Sequence, residues 1–262
     1  MTPSETYETL ADFAQSLADA GRQIARESFR RKPNVRRKAD TSLVSDIDEC
    51  IERVFRAEIT ARYPSHGIFG EEQAALAISS QFLWILDPID GTESYVHGLP
   101  IYGILIGLLH HGVPVVGVAD MPQLGERWVS FAGDSTRLNE VPVRALEARS
   151  LHKATVFTTT PDVFEDEDKE VLERIRSSVR MMRYGGDCYS YCLLASGHID
   201  AVIECGLGPY DYLPLVPIIE GSGGVITDWE GNNLSLSSGG KVVAAGSVQM
   251  HAAMLAIISR AK

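Results

Sequence analysis

Apolar and polar positions alternate along the chain in two rhythms, and these divide it into helical and extended segments. Between residues 4 and 29, Leu10, Phe13, Leu17, Ile24 and Ala25 recur at roughly helical spacing, with Ser4 as a plausible cap. Ile47, Ile51, Val54, Phe55 and Ile59 repeat the pattern and predict a second helix from Ser45 or Asp46 to Arg62. Apolar stretches at 82–87, 101–109, 113–120 and 126–131 predict strands, and Gly112 with Pro114 predicts a hairpin between the middle two. In the second half, strands are expected near 154–159, 200–204, 224–227 and 241–245. Helices are expected near 165–178, 188–197, 212–221 and 247–260. This is the alternation of an α/β protein.

The chain of 262 residues is long enough for a single domain of two lobes, an α+β lobe over about 1–150 and an α/β lobe over about 151–262. Its net charge of −11 disfavours a nucleic-acid or anionic-membrane partner, since both call for a positive field. A phosphate ester is still admissible if metal ions supply local positive charge. No apolar run approaches the ~20 residues of a membrane helix. The amino-terminal Met-Thr-Pro-Ser-Glu has no basic region followed by an apolar one, so the expected compartment is the cytoplasm. The cysteines, Cys50, Cys188, Cys192 and Cys205, form no metal-binding spacing. Cys188 and Cys192 read as packed thiols on a helix.

Chemistry enters at Trp84-Ile-Leu-Asp-Pro-Ile-Asp-Gly-Thr92. An apolar strand, Leu83 to Leu86, runs into two carboxylates three residues apart. Pro88 removes a backbone donor, so the ladder is expected to stop there and leave Asp87 and Asp90 on a loop at the strand end. Two acids held so close repel unless a cation lies between them, which points to a divalent-metal site. Gly67-Ile-Phe-Gly-Glu-Glu72 places two more acids just after a short apolar strand. Asp211, in Gly208-Pro-Tyr-Asp211, reads equally as a helix N-cap, and Glu220-Gly-Ser-Gly-Gly224 as a helix C-cap. The basic run Arg30–Lys38 reads as a solvated loop in which Lys38 is the member nearest to chemistry. Asp46 and Asp48 could simply cap the second helix. An aspartyl-phosphate phosphatase motif is a poor fit to them, because Cys50 stands where Thr or Val is wanted and no apolar strand precedes.

In their order and spacing, Gly70-Glu-Glu72, Asp87-Pro-Ile-Asp-Gly-Thr92, Tyr210-Asp211 and Glu220-Gly-Ser-Gly-Gly224 resemble the inositol-monophosphatase-like family of magnesium-dependent phosphatases. Two departures, Tyr210 in place of Trp and the extra Ser in the glycine segment, remove no ligand. The resemblance implies a five-layer αβαβα sandwich, a homodimer and two or three Mg²⁺ ions per site. Glu71, Asp87 and the Ile89 carbonyl would hold one ion; Asp87, Asp90 and Asp211 a second; Glu71 would reach a third through water. Thr92 paired with Asp48 would orient the attacking water, and the Gly91 and Thr92 amides would cradle phosphate.

Arg183-Tyr-Gly-Gly-Asp-Cys-Tyr-Ser-Tyr191, Asp120-Met-Pro-Gln-Leu-Gly-Glu-Arg-Trp128 and Gly98-Leu-Pro-Ile-Tyr-Gly103 resemble the histidinol-phosphatase branch, which acts late in histidine synthesis. Asp187, otherwise a helix N-cap, and Glu204 would then contact an ammonium and an imidazole, with Arg183 ordering Asp187. An inositol phosphatase, or one for another small sugar or nucleotide phosphate, is the alternative. A partner-binding role in transcription complexes is a third reading, and the acidic charge speaks against direct RNA contact.

Overall fold

A computed structural model describes residues 6–31, 34–37 and 43–259; Ser4 and Lys38 lie outside the described residues. Helix α1 (Tyr7–Ser28) is capped by Thr6, whose hydroxyl accepts from the Thr9 amide. The basic run is not all loop. Its exposed residues Val35–Arg37 form β1, antiparallel to β2 (Leu43–Ser45), which leads directly into α2 (Asp46–Arg62). Ser45 caps α2, while Ile47 and Val54 on its expected apolar face are only half buried.

Seven strands then form one sheet: β3 (Gly67–Gly70), β4 (Phe82–Asp90), β5 (Gly103–His110), β6 (Val113–Met121), β7 (Glu126–Phe131), β8 (Arg137–Leu138) and β9 (Val141–Pro142), paired in that order. The short helix α3 (Thr92–Val96) lies between β4 and β5. β3 and β4 run parallel, every later pair antiparallel. The expected hairpin at Gly112 joins β5 to β6.

The second sheet has the order β11 (Met181–Tyr184), β10 (Thr155–Thr158), β12 (Ala201–Glu204), β14 (Val242–Ala245), β13 (Val225–Asp228). Its helices are α4 (Glu167–Ser178), α5 (Asp187–Ala195), α6 (Pro209–Tyr212), α7 (Leu215–Gly221) and α8 (Val248–Ile258). The single helix expected near 212–221 is thus two helices, with Leu213 and Pro214 between them.

Three apolar layers bind these elements. Trp84, Leu86, Ile104, Ile106 and Leu108 on one face of the first sheet pack with Leu10, Leu17, Phe55 and Ile59 of α1 and α2. Leu83, Ile85 and Leu105 on the opposite face meet α5 and α7, which also cover Val202, Ile226 and Ala244 of the second sheet. The far face of that sheet, with Val156, Ile203 and Val243, is closed by α4 and α8. The result is the five-layer αβαβα sandwich. Both faces of β4 and β5 are covered, which is why those strands read as continuous apolar runs rather than as alternation.

Close contact in the middle layer depends on two glycines paired across β5 and β6, Gly107 and Gly117. A Cβ on Gly117 would come within 2.1 Å of the Pro214 carbonyl oxygen. Larger residues there would lift the α6–α7 junction off the sheet. Outside the layers, buried Asp120 on β6 accepts from Arg22 Nε of α1 at 2.9 Å and Arg127 Nε of β7 at 2.6 Å, and ties that helix to the sheet.

Candidate active site

β4 does not end before the carboxylates. Asp87 still pairs with Leu105, the register shifts across Pro88 and Ile89, and pairing resumes at Asp90 with Gly103. Proline has no N–H to give to the ladder, so the strand accommodates it as an irregularity rather than stopping. Asp87 and Asp90 are therefore held by sheet, not loop. On the other flank, Gly70 pairs with Leu86 and the Glu71 amide donates to the Leu86 carbonyl at 3.2 Å, which sets Glu71 beside Asp87.

Asp211 arrives from the second half of the chain. It is not the N-cap of α6 but its third residue, and its Oδ2 accepts from the Gly208 amide at 2.7 Å. Carboxylate oxygens of Asp87, Asp90 and Asp211 lie within 4.8 Å of one another. Asp87 is fully buried, and neither of its oxygens receives a hydrogen bond. Burial, with the charges of Glu71, Asp90 and Asp211, holds Asp87 well above the ordinary carboxylate range; burial with Asp90 and Glu71 does the same to Asp211. Burial and the Asp187 charge push Asp90 up to about 7, although the Cys188 amide donates to its Oδ2 at 2.6 Å. A hard divalent cation suits this oxygen-only set, because it neutralises the repulsion and supplies the partner Asp87 lacks. Glu71 lies outside the tight triplet, close enough to raise all three.

Asp48 reaches the same place from α2. Ser45 donates to its Oδ2 from both amide and hydroxyl, which leaves Oδ1 facing Thr92 Oγ1 at 3.3 Å. The same Thr92 hydroxyl lies 3.1 Å from the Ile89 carbonyl oxygen. Burial outweighs the Ser45 hydrogen bonds and pushes Asp48 up to about 6. Gly91, at φ 79°, caps α3 just before Thr92.

A cleft opens beside the carboxylates, with Asp90, Thr159, Asp187, Tyr191, Glu204 and Asp211 in its wall. Asp187 is the first residue of α5, with Gly186 at the cap, so it does not cap the helix as the local sequence suggested. Its Oδ2 accepts from Ser94 Oγ of α3 at 2.9 Å. Burial raises its pKa, against the Ser94 hydrogen bond. Glu204, at the end of β12, accepts from the Thr159 amide at 2.7 Å and from the Thr159 and Thr158 hydroxyls at 2.9 and 3.2 Å, yet burial pushes it up to about 8. Arg183 does not order Asp187. It is exposed, its guanidinium lies over the Phe157 ring, and it makes no ion pair with Asp187.

Two supporting residues escaped the sequence reading. Ser94 lies 93 positions from the aspartate it holds, and nothing local marks it. Glu52, fully buried on α2, accepts from the Glu72 and Gln73 amides at 2.7 and 3.2 Å and from Arg56 Nε at 2.7 Å, and so shapes the turn that carries Glu71. A charge among Ile51 and Phe55, with Arg56 four residues on, was the available signal.

A model of the inositol monophosphatase family matches residues 6–262. The chain is 41% identical to the bifunctional phosphatase IMPL2, chloroplastic, of Arabidopsis thaliana, across 95% of this chain and 76% of that protein. It is 32% identical to a histidinol-phosphatase of Chlorobaculum parvum, covering 88% and 90% of the two. Among solved structures, an inositol monophosphatase from Zymomonas mobilis superposes with a TM-score of 0.89 at 38% identity, over 97% of this chain and 99% of that one.

Proposed function

The chain belongs to the inositol monophosphatase family and is a phosphoric monoester hydrolase, and on that premise we propose that its substrate is L-histidinol phosphate, hydrolysed with Mg²⁺. The observation that carries the substrate is the second pair of acids. Asp187 and Glu204 line the same cleft as Asp90 and Asp211 and are held by neutral donors, with no cation among the described residues paired to either. A neutral polyol needs no such pair; a leaving alcohol with an ammonium to neutralise and an imidazole N–H to accept does. The likeness to histidinol-phosphatases supports the reading. The likeness to inositol monophosphatases, 38% identical in one solved case, favours inositol phosphate as the second reading.

In this mechanism Asp87, Asp90 and Asp211, with Glu71 and the Ile89 carbonyl, would hold the cations. The chemistry those cations would supply is charge neutralisation on the transferring phosphoryl group and the leaving alkoxide, and a more acidic water. Thr92 would align the attacking water and pass its proton toward Asp48, whose Oδ1 faces the Thr92 hydroxyl at 3.3 Å. The Gly91 and Thr92 amides, at the start of α3, face the phosphate oxygens. Asp187 and Glu204 take the two nitrogen groups of the alcohol.

Phosphate release from L-histidinol phosphate and inositol 1-phosphate, with and without Mg²⁺, tests the proposal. A higher kcat/KM for histidinol phosphate is expected; a higher value for the inositol ester overturns it. Asp187→Ala should lower kcat/KM for histidinol phosphate at least about tenfold more than for an aryl phosphate, as expected for loss of a charge-assisted contact. Equal losses on both would remove Asp187 from substrate choice.

A further inference from the structure

Tyr191 has a feature that neither the fold nor the metal site accounts for. Its ring is part of the middle apolar layer and it is 2% exposed, yet it also lines the cleft. Its hydroxyl is sealed from solvent and has no hydrogen-bond partner. Among the described residues, the only other buried side-chain polar atoms in that condition are the two Asp87 oxygens. Buried polar atoms are almost always paired, so an unpaired one in a cleft wall marks where a bound molecule completes the structure.

The surroundings define what that molecule must offer. Glu204, Asp90 and Asp211 all act electrostatically on the Tyr191 hydroxyl without bonding to it. Burial and those charges hold the phenol in its protonated form. The cleft wall is therefore rich in acceptors, the carboxylates of Asp90, Asp187, Glu204 and Asp211, and Tyr191 contributes a free proton among them. A ligand with N–H groups alone would satisfy the acids and leave the phenol idle. A neutral imidazole has both kinds of atom in one ring, an N–H on one nitrogen and a lone pair on the other.

On the histidinol phosphate reading above, we propose that Tyr191 is a specificity-determining residue whose hydroxyl donates to the unprotonated imidazole nitrogen of the leaving alcohol, while Glu204 accepts from the other nitrogen. A donor and an acceptor lining one cleft select a ring with complementary edges. They reject a leaving group of similar size without a lone pair there, because the phenol would again be buried and unpaired. Asp187 is then left for the ammonium.

The test compares the wild type with Tyr191→Phe, a change that removes one oxygen and keeps the packed ring. The substrates are L-histidinol phosphate and L-alaninol phosphate, which keeps the amine and the phosphate and has methyl in place of the imidazolylmethyl group. The ratio of kcat/KM for the two esters should fall at least about tenfold in the variant, mostly through KM. The melting temperature of the free protein should stay level or rise, since no bond is lost, while the rise produced by added L-histidinol should shrink. An unchanged ratio in an enzyme that prefers the imidazole overturns the assignment. So does a fall of several degrees in the free protein, which would mean the hydroxyl has a structural partner. A wild type that prefers inositol 1-phosphate overturns the histidinol reading separately. The variant is then compared on that ester and phenyl phosphate: a tenfold relative loss keeps Tyr191 at the leaving alcohol, and equal rates remove it.

Discussion

Asp87 concentrates the conflict between stability and function into one side chain. Its carboxylate is fully buried, without a hydrogen bond and beside four other acids, which is costly without a cation. Asp87→Asn should therefore raise the melting temperature of the metal-free protein while weakening Mg²⁺ binding. The loss should exceed the roughly 10–100-fold seen when only a group orienting a ligand is removed. Calorimetric titration and a metal-free thermal melt check the two directions independently. Gly91 is held to glycine twice over: its φ is 79°, and a Cβ would come within 2.8 Å of Asp187 Oδ2. Gly91→Ala should cost about 1–2 kcal/mol in stability from the left-handed backbone alone. It should also lower kcat/KM by displacing Asp187, measurable by denaturant unfolding and steady-state assay. The sequence showed these acids and this glycine plainly. Their contact, between residues 91 and 187, was invisible to it.

At the level of elements, the site is a meeting of ends. β4 brings Asp87 and Asp90, the turn after β3 brings Glu71, α2 brings Asp48, α6 brings Asp211, and α5 brings Asp187 with the Cys188 amide. Element types and most boundaries were legible from periodicity, to within one or two residues for β6, β7, α2 and α5. Two local rules misled. Pro88 suggested a strand end, but the sheet absorbed it as a register shift. The single apolar run after Asp211 concealed a break at Pro214, because both short helices bury their residues in the same layer. Glu52 shows how an element can act on the site without belonging to it. Glu52→Ala would leave Arg56 only the Gln73 carbonyl as partner and free the Glu72 and Gln73 amides, at a cost of about 3 kcal/mol, the low end for breaking a buried pair since Arg56 reaches solvent. It should also weaken Mg²⁺ binding through Glu71. Glu52→Gln keeps one of the two acceptor oxygens, so a partial recovery of the Mg²⁺ affinity relative to Glu52→Ala would show that Glu52 shapes the turn rather than adding charge.

For the whole molecule, the buried acids make stability depend on pH in a direction opposite to that of most proteins. Asp48, Asp90 and Glu204 are raised to about 6, 7 and 8, above the ordinary 3.8 to 4.5 of the unfolded chain. The folded state therefore binds more protons than the unfolded one over that range. Its stability is fullest below about pH 4 on account of these groups, and declines as pH rises toward 8. The melting temperature of the metal-free protein should fall from pH 5 to pH 8. Mg²⁺ should restore it by an amount that grows with pH, because the cation competes with protons for Asp90 and its neighbours. A flat profile without metal would mean that the carboxylates are relieved in some other way.

What the sequence determined by itself was local: the elements, the apolar faces and the acids at Glu71, Asp87, Asp90 and Asp211, together with a family resemblance that covered nearly the whole chain. Periodicity reports which face of a helix or strand avoids water, but not which partner covers it. Only the tertiary structure stacked the five layers and, in doing so, set α5 and the end of β12 against the end of β4. Packing α5 and α7 between two sheets decided that Asp187 rests on Ser94 and not on Arg183, and that the Tyr191 hydroxyl is buried without a partner. These contacts join residues up to 98 positions apart, as Cys188 and Asp90 are, and no local pattern encodes a distance of that kind.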